Sequence, residues 1–141
     1  MKQEVVLSIR GRQSYADQEP EIIELVTVGT LEKTPLGWDL QYQETDLTGL
    51  EGVTTTFRVE NSKITLIRTG KLNSQMVFQE GVVHDSLYQM EFGALMLTVC
   101  ASKVSAQLSG EGGVIDLVYT IEIEQTAAGM IDYHLEVTPK K

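Results

Sequence analysis

The chain has 141 residues, one cysteine and a formal charge of −9, from twenty acidic against eleven basic side chains. Its length suits one domain spanning 1–141, and its 42% of apolar residues argues against a disordered chain. The charge disfavours nucleic acid or an anionic membrane as partner. A lone cysteine allows no intrachain disulfide and fits a reducing compartment.

Met1 to Glu4 leads straight into a strand pattern, with no apolar leader, so the expected location is cytoplasmic. Val5, Leu7 and Ile9 alternate with Glu4, Ser8 and Arg10, the period of a half-buried strand. Ser14 to Pro20 reads as a connection with room for one helical turn. Glu21 to Lys33 resumes as a long strand in which Gly29 marks a bulge or a sharp bend. Thr34-Pro35-Leu36-Gly37 is a turn. Trp38, Leu40 and Tyr42 then share one face of a third strand, and Glu44 continues it.

Asp46 to Gly52 has no period and reads as a loop. Val53, Thr55, Phe57 and Val59 alternate with Thr54, Thr56, Arg58 and Glu60, and Asn61-Ser62 turns tightly into Lys63 to Thr69. Strands follow over Ser74 to Glu80, Val83 to Phe92 and Ala94 to Ser102. The last is apolar on both parities, as in a strand covered on two sides or lying near a contact surface. The nearly apolar stretch Gly93 to Ala101 is about half of the ~20 residues a membrane span needs. Gly110 to Gly113 is a hairpin connection, Val114 to Glu124 the clearest strand, Thr126 to Met130 a turn, and Ile131 to Val137 the final strand. So many short strands without a helix must hide their edges, which favours an all-β antiparallel barrel of about eight to ten strands over a sandwich.

The block from Tyr42 to Phe78 organises the rest, and segments within and beyond it carry a likeness. Leu47-Thr48-Gly49-Leu50-Glu51-Gly52-Val53-Thr54-Thr55-Thr56, Thr65-Leu66-Ile67-Arg68-Thr69-Gly70, Ser74-Gln75-Met76-Val77-Phe78 and Gly112 to Tyr119 resemble the YwiB-like family of small bacterial proteins. The resemblance spans nearly the whole chain. It implies a calycin-type (lipocalin-superfamily) β-barrel and brings no activity with it. The lipocalin Gly-x-Trp signature is missing, since Gly37 and Trp38 are adjacent on the third strand, so lipocalin ligand binding is not transferred.

Face parity supplies the candidate site. Arg68 continues the apolar face of Ile64 and Leu66, and Glu44 continues that of Trp38, Leu40 and Tyr42. If both stripes face the interior, these charges meet or share a polar ligand, because a buried charge is costly unless paired. Gln75, His84 and Tyr88 are placed to line the same space. One reading is a structural ion pair that fixes strand register. The other is an anion anchor at Arg68, with Tyr42 and Trp38 as apolar walls.

Catalytic constellations fail on geometry. His84-Asp85-Ser86 are strand neighbours and point to alternate faces. His134 falls with Asp132 and Glu136 on a polar face and reads as solvated. Two distant histidines make no zinc pattern, and Cys100 reads as a packed residue rather than a nucleophile. No cofactor or metal is expected. The leading reading is a non-enzymatic binding barrel for a small anionic or amphipathic molecule. The alternative is a structural or interaction protein with a filled core, dimerising through an exposed strand. A cavity on the order of 300 Å³ or more separates them. Leu7, Ile9, Trp38, Leu40, Phe57, Val59, Leu66, Leu117, Ile121, Leu135 and Val137 form a bulky inner set that leans towards filling.

Overall fold

The computed structural model describes residues 2–14, 19–45, 51–61, 63–90, 93–124 and 126–140. Among them the chain forms ten strands: β1 (Lys2–Ser14), β2 (Glu21–Thr34), β3 (Gly37–Gln43), β4 (Val53–Glu60), β5 (Ile64–Gly70), β6 (Asn73–Phe78), β7 (Val83–Met90), β8 (Gly93–Ser109), β9 (Gly112–Ile123) and β10 (Thr126–Pro139). Each pairs antiparallel with the next, and β10 returns to β1, closing a barrel. Closure removes the sheet edges that a chain of this composition would otherwise expose.

Residues directly opposite in an antiparallel pair share a face, so the register sorts the interior into layers. One layer is apolar: Leu31, Leu40, Phe57, Leu66 and Met76 follow one another across β2 to β6. A second lies two residues nearer one end, where Gly29, Tyr42, Thr55, Arg68, Ser74 and Tyr88 align across β2 to β7. Leu7, Phe57, Phe78, Ile115, Leu117 and Leu135 are fully buried at the centre. Apolar alternation on every strand is what directs these side chains inward, and their burial is the main force holding the barrel closed.

Three sequence expectations change. The strand read as ending at Ser102 continues to Ser109, because the register slips between Ala101 and Lys103. That bulge inverts the alternation: Leu97, Val99 and Ala101 point inward before it, and Val104, Ala106 and Leu108 after it. A similar slip between Ala127 and Gly129 lies inside β10, so Thr126–Met130 is strand rather than turn. Gly29 keeps a continuous register with both neighbours and is no bulge. A Cβ there would sit 2.3 Å from the Gln41 carbonyl oxygen, so the glycine permits a close approach of backbones.

The outer side of β8 is open rather than covered, with Met96 exposed and Cys100 half-buried there, outside the barrel core. The Glu60 N–H donates to the Lys63 carbonyl at 2.9 Å, closing the hairpin read at Asn61-Ser62, although Ser62 itself lies outside the described residues. The helical turn suggested within Ser14 to Pro20 and most of the loop from Asp46 fall on residues 15–18 and 46–50, also outside them.

Candidate functional site

The polar layer sits beside a cavity of about 360 Å³ whose lining reaches Gln13 on β1, Ile23 on β2 and Glu44 just past β3. Its two sides differ. Tyr42, Glu44, Arg68 and Tyr88 come from the short strands β3, β5 and β7 or the residue just past β3. Ile9, Leu25, Leu97, Ile121 and Ile131 come from the long strands β1, β2, β8, β9 and β10. Met76 adds an apolar group on the first side, and Tyr119 and Tyr133 add phenols on the second. The Tyr133 ring lies over Gly11, its register partner, and is 3.6 Å from where a Cβ of that residue would be.

Glu44 is almost fully buried, and the hydroxyl of the wholly buried Thr55 donates to its Oε2 at 2.5 Å. A hydrogen bond to an ionised acceptor in a dry setting is among the stronger kinds. Arg68 differs: its Nε is buried with no hydrogen-bond partner among the described residues. The ion pairs of those residues do not include one between Arg68 and Glu44. The two charges share the cavity without bridging. The Ser74 hydroxyl, next to Arg68 in register, is likewise buried and without a partner.

Tyr42 and Tyr133 face one another closely enough across the barrel for each to influence the other's ionisation. Burial pushes Tyr42, Tyr119 and Tyr133 above the ordinary phenol value; for Tyr42 the neighbouring Tyr133 and Glu44 add to the rise. The Arg68 charge opposes the rise at all three. These phenols therefore stay neutral and keep their protons for hydrogen bonding. Phe78 and Tyr119, with ring centroids 4.5 Å apart, tie the cavity to the core beneath.

Of the residues singled out from sequence, the structure brings together Tyr42, Glu44, Arg68 and Tyr88 and leaves three elsewhere. Trp38 shares Tyr42's face but lies four residues down the strand, about 13 Å away. It lines a separate open groove at the opposite end of the barrel, and the Lys33 amine sits 4.9 Å from its ring. Gln75 is on the outer surface, because its neighbours Ser74 and Met76 point inward. His84 is half-buried outside the cavity lining, with Nε2 3.2 Å from Gln79 Oε1. Asp85 is on the outside, accepting from the Thr98 hydroxyl, so no relay links His84, Asp85 and Ser86.

Thr55, Ser74, Tyr119 and Tyr133 escaped sequence reading as site residues, although alternation had placed Thr55 on the face of Val53, Phe57 and Val59. His134 is not merely solvated: Nδ1 meets Asp116 at 2.5 Å and Nε2 meets Glu136 at 3.3 Å on the outer face. Its pKa is raised, chiefly by the bond to Asp116 and then by that to Glu136. Among the described residues no three His, Cys, Asp or Glu side chains gather to ligate a metal. No helix among them is long and apolar enough to cross a membrane.

A family model described as a domain of unknown function, DUF1934, matches residues 7–137. The chain belongs to that family. The DUF1934 match takes in every cavity residue named above, from Ile9 to Tyr133. The crystal structure of the ywiB protein from Bacillus subtilis is similar, with a TM-score of 0.87 at 21% identity over 99% of this chain and 94% of that one. Likeness at that identity carries the fold and agrees with the YwiB-like resemblance of the sequence. No curated protein matches the chain.

Proposed function

We propose that this DUF1934 chain is a non-catalytic binding barrel that takes a small anionic or amphipathic molecule into the cavity at the Arg68 end. The observation that carries this reading is a guanidinium lining a cavity of about 360 Å³ with a buried, unpartnered Nε. Such a cation is costly, and an anion in the cavity would offset the cost. The cavity reaches the size expected of a small-molecule site, while the layers beneath it are filled. The chemistry of the interior supports binding rather than catalysis. The Ser74 and Ser86 hydroxyls have no base beside them, and Thr55, which does meet a carboxylate, is sealed from the cavity.

Native mass spectrometry of protein purified gently from its own cells tests this. The expected result is an adduct that disappears in folded Arg68→Ala protein. An adduct that survives this change unaltered, or a bare mass under every gentle condition, counts against the reading. A cytoplasmic setting goes with it, given the single cysteine and acidic charge.

The exposure of Val83, Leu87 and Met96 on the outer side of β7 and β8 favours a second reading, a homodimer through that face. Sedimentation velocity decides it: a dimer that Leu87→Lys dissociates supports the interface, and a monomer at high micromolar concentration removes it.

A further inference from the structure

The charge count of the cavity points to the class of ligand, an inference that rests on the binding reading above. The lining holds one cation, Arg68, and one anion, Glu44. They are not equivalent. Glu44 already accepts from Thr55, whereas the Arg68 Nε is buried without a partner. The charged group of the lining that still has a buried, unpartnered polar atom is therefore the cationic one. A second negative charge on a ligand would face Glu44 and the field of a chain carrying −9 overall.

The neighbours of Arg68 suit it to receive a head group. In register order it is followed by Ser74 and then Tyr88. The small serine between two long side chains leaves room above it, and Arg68 and Tyr88 both line the cavity. A planar guanidinium donates two parallel hydrogen bonds to a carboxylate, and the Tyr88 hydroxyl, two strands away in the same layer, supplies another donor. Facing them are the aliphatic groups of Ile9, Leu25, Leu97, Ile121 and Ile131 and the phenols of Tyr119 and Tyr133. The volume equals on the order of a dozen waters of bulk liquid, which suits a body of medium length and excludes a long acyl chain.

We propose that the cavity binds a monocarboxylate with a compact apolar body, its head on Arg68 beside Tyr88 and its body against the aliphatic side of β1, β2 and β8 to β10. Glu44 selects against dianions. The apolar side contributes affinity without direction, while Arg68 sets the orientation.

The test is calorimetric titration of the full chain with octanoate, octanol and octyl phosphate, which share one body and differ in head group. Octanoate is expected to bind at least 10-fold tighter than octanol and no more weakly than octyl phosphate. Arg68→Gln should weaken octanoate on the order of 10- to 100-fold and leave octanol nearly unchanged. Tyr88→Phe, which keeps the ring, should weaken octanoate several-fold and provides the second variant if Arg68→Gln does not fold. Octanol binding as tightly as octanoate overturns the anion subsite and leaves the binding barrel standing. Tighter binding of octyl phosphate overturns the single-charge selection. If none of the three binds and native mass spectra show no adduct, the subsite and the binding reading both fall. An adduct of a different chemistry overturns the subsite alone.

Discussion

Gly29→Ala is the perturbation that most directly tests how the barrel presents its site. Gly29 lies between Val5 on β1 and Tyr42 on β3. The added Cβ would sit 2.3 Å from the Gln41 carbonyl oxygen and 3.1 Å from both Leu7 Cδ1 and Tyr42 Cβ, against an ordinary contact beginning near 3.4 Å. The nearest atom is backbone, so no side-chain rotation relieves it, and β3 must retreat by about 1 Å. Retreat weakens the last rungs of the β2–β3 ladder at about 1 kcal/mol each and strains packing by about 1–3 kcal/mol. The expected loss is about 2–4 kcal/mol, with a fall in Tm on the order of 10 °C for a domain of this size. Urea unfolding followed by circular dichroism measures it. Gly110→Ala is the control, since nothing lies within 4 Å of its Cβ position, and it should stay within about 0.5 kcal/mol of the parent. A Gly29→Ala protein as stable as the control would refute the close approach. Because Tyr42 and Glu44 ride on the displaced end of β3, ligand affinity should fall with stability.

Thr55→Val keeps the shape but removes the donor to Glu44, and chemical denaturation should show a loss of about 1.5–3 kcal/mol, as for a bond to a charged group. Spectrophotometric titration should find Tyr42 and Tyr119 still protonated at about pH 11 in the native fold, and Tyr133 ionising above the ordinary phenol value. For His134 the folded pKa is raised, so its contribution to stability is complete below the ordinary value near 6.5 and disappears as pH rises through the folded value. Its side chain is 40% exposed, which limits the effect to below about 1 kcal/mol, and Asp116→Asn should remove most of that pH dependence in parallel urea melts at pH 5.5 and 8.5.

The strands were legible because alternation is a local property, and a half-buried strand writes its inner face directly into the sequence. The same parity found Tyr42, Glu44, Arg68 and Tyr88. Parity gives the face of a residue but not its height along the barrel, which is why Trp38 was grouped with Tyr42 although they sit at opposite ends. Height depends on register between strands, and only pairing reveals it: Arg68 opposite Ser74 shows at once that Gln75 must point outward. The slip at Ser102 was invisible for another reason. A bulge reverses alternation without a residue type that announces it, so the pattern resembled an ending. Tyr119 and Tyr133 looked like core because their strands are otherwise aliphatic, and a phenol at the top of such a face reads the same as one at the bottom.

The reversal within β8 also bears on how this family can change length. Upstream of Ser102 the odd-numbered positions look into the barrel, and downstream the even-numbered ones do. Removing Ser102, the extra residue of the slip, would restore one unbroken alternation with Leu97, Val99, Val104 and Ala106 all still facing inward. Elsewhere in the strand a single deletion would reverse the faces on one side of it, whereas losing two residues would preserve both. Length changes in this strand should thus be tolerated singly at the slip and in pairs elsewhere, while the hairpins around it vary one residue at a time.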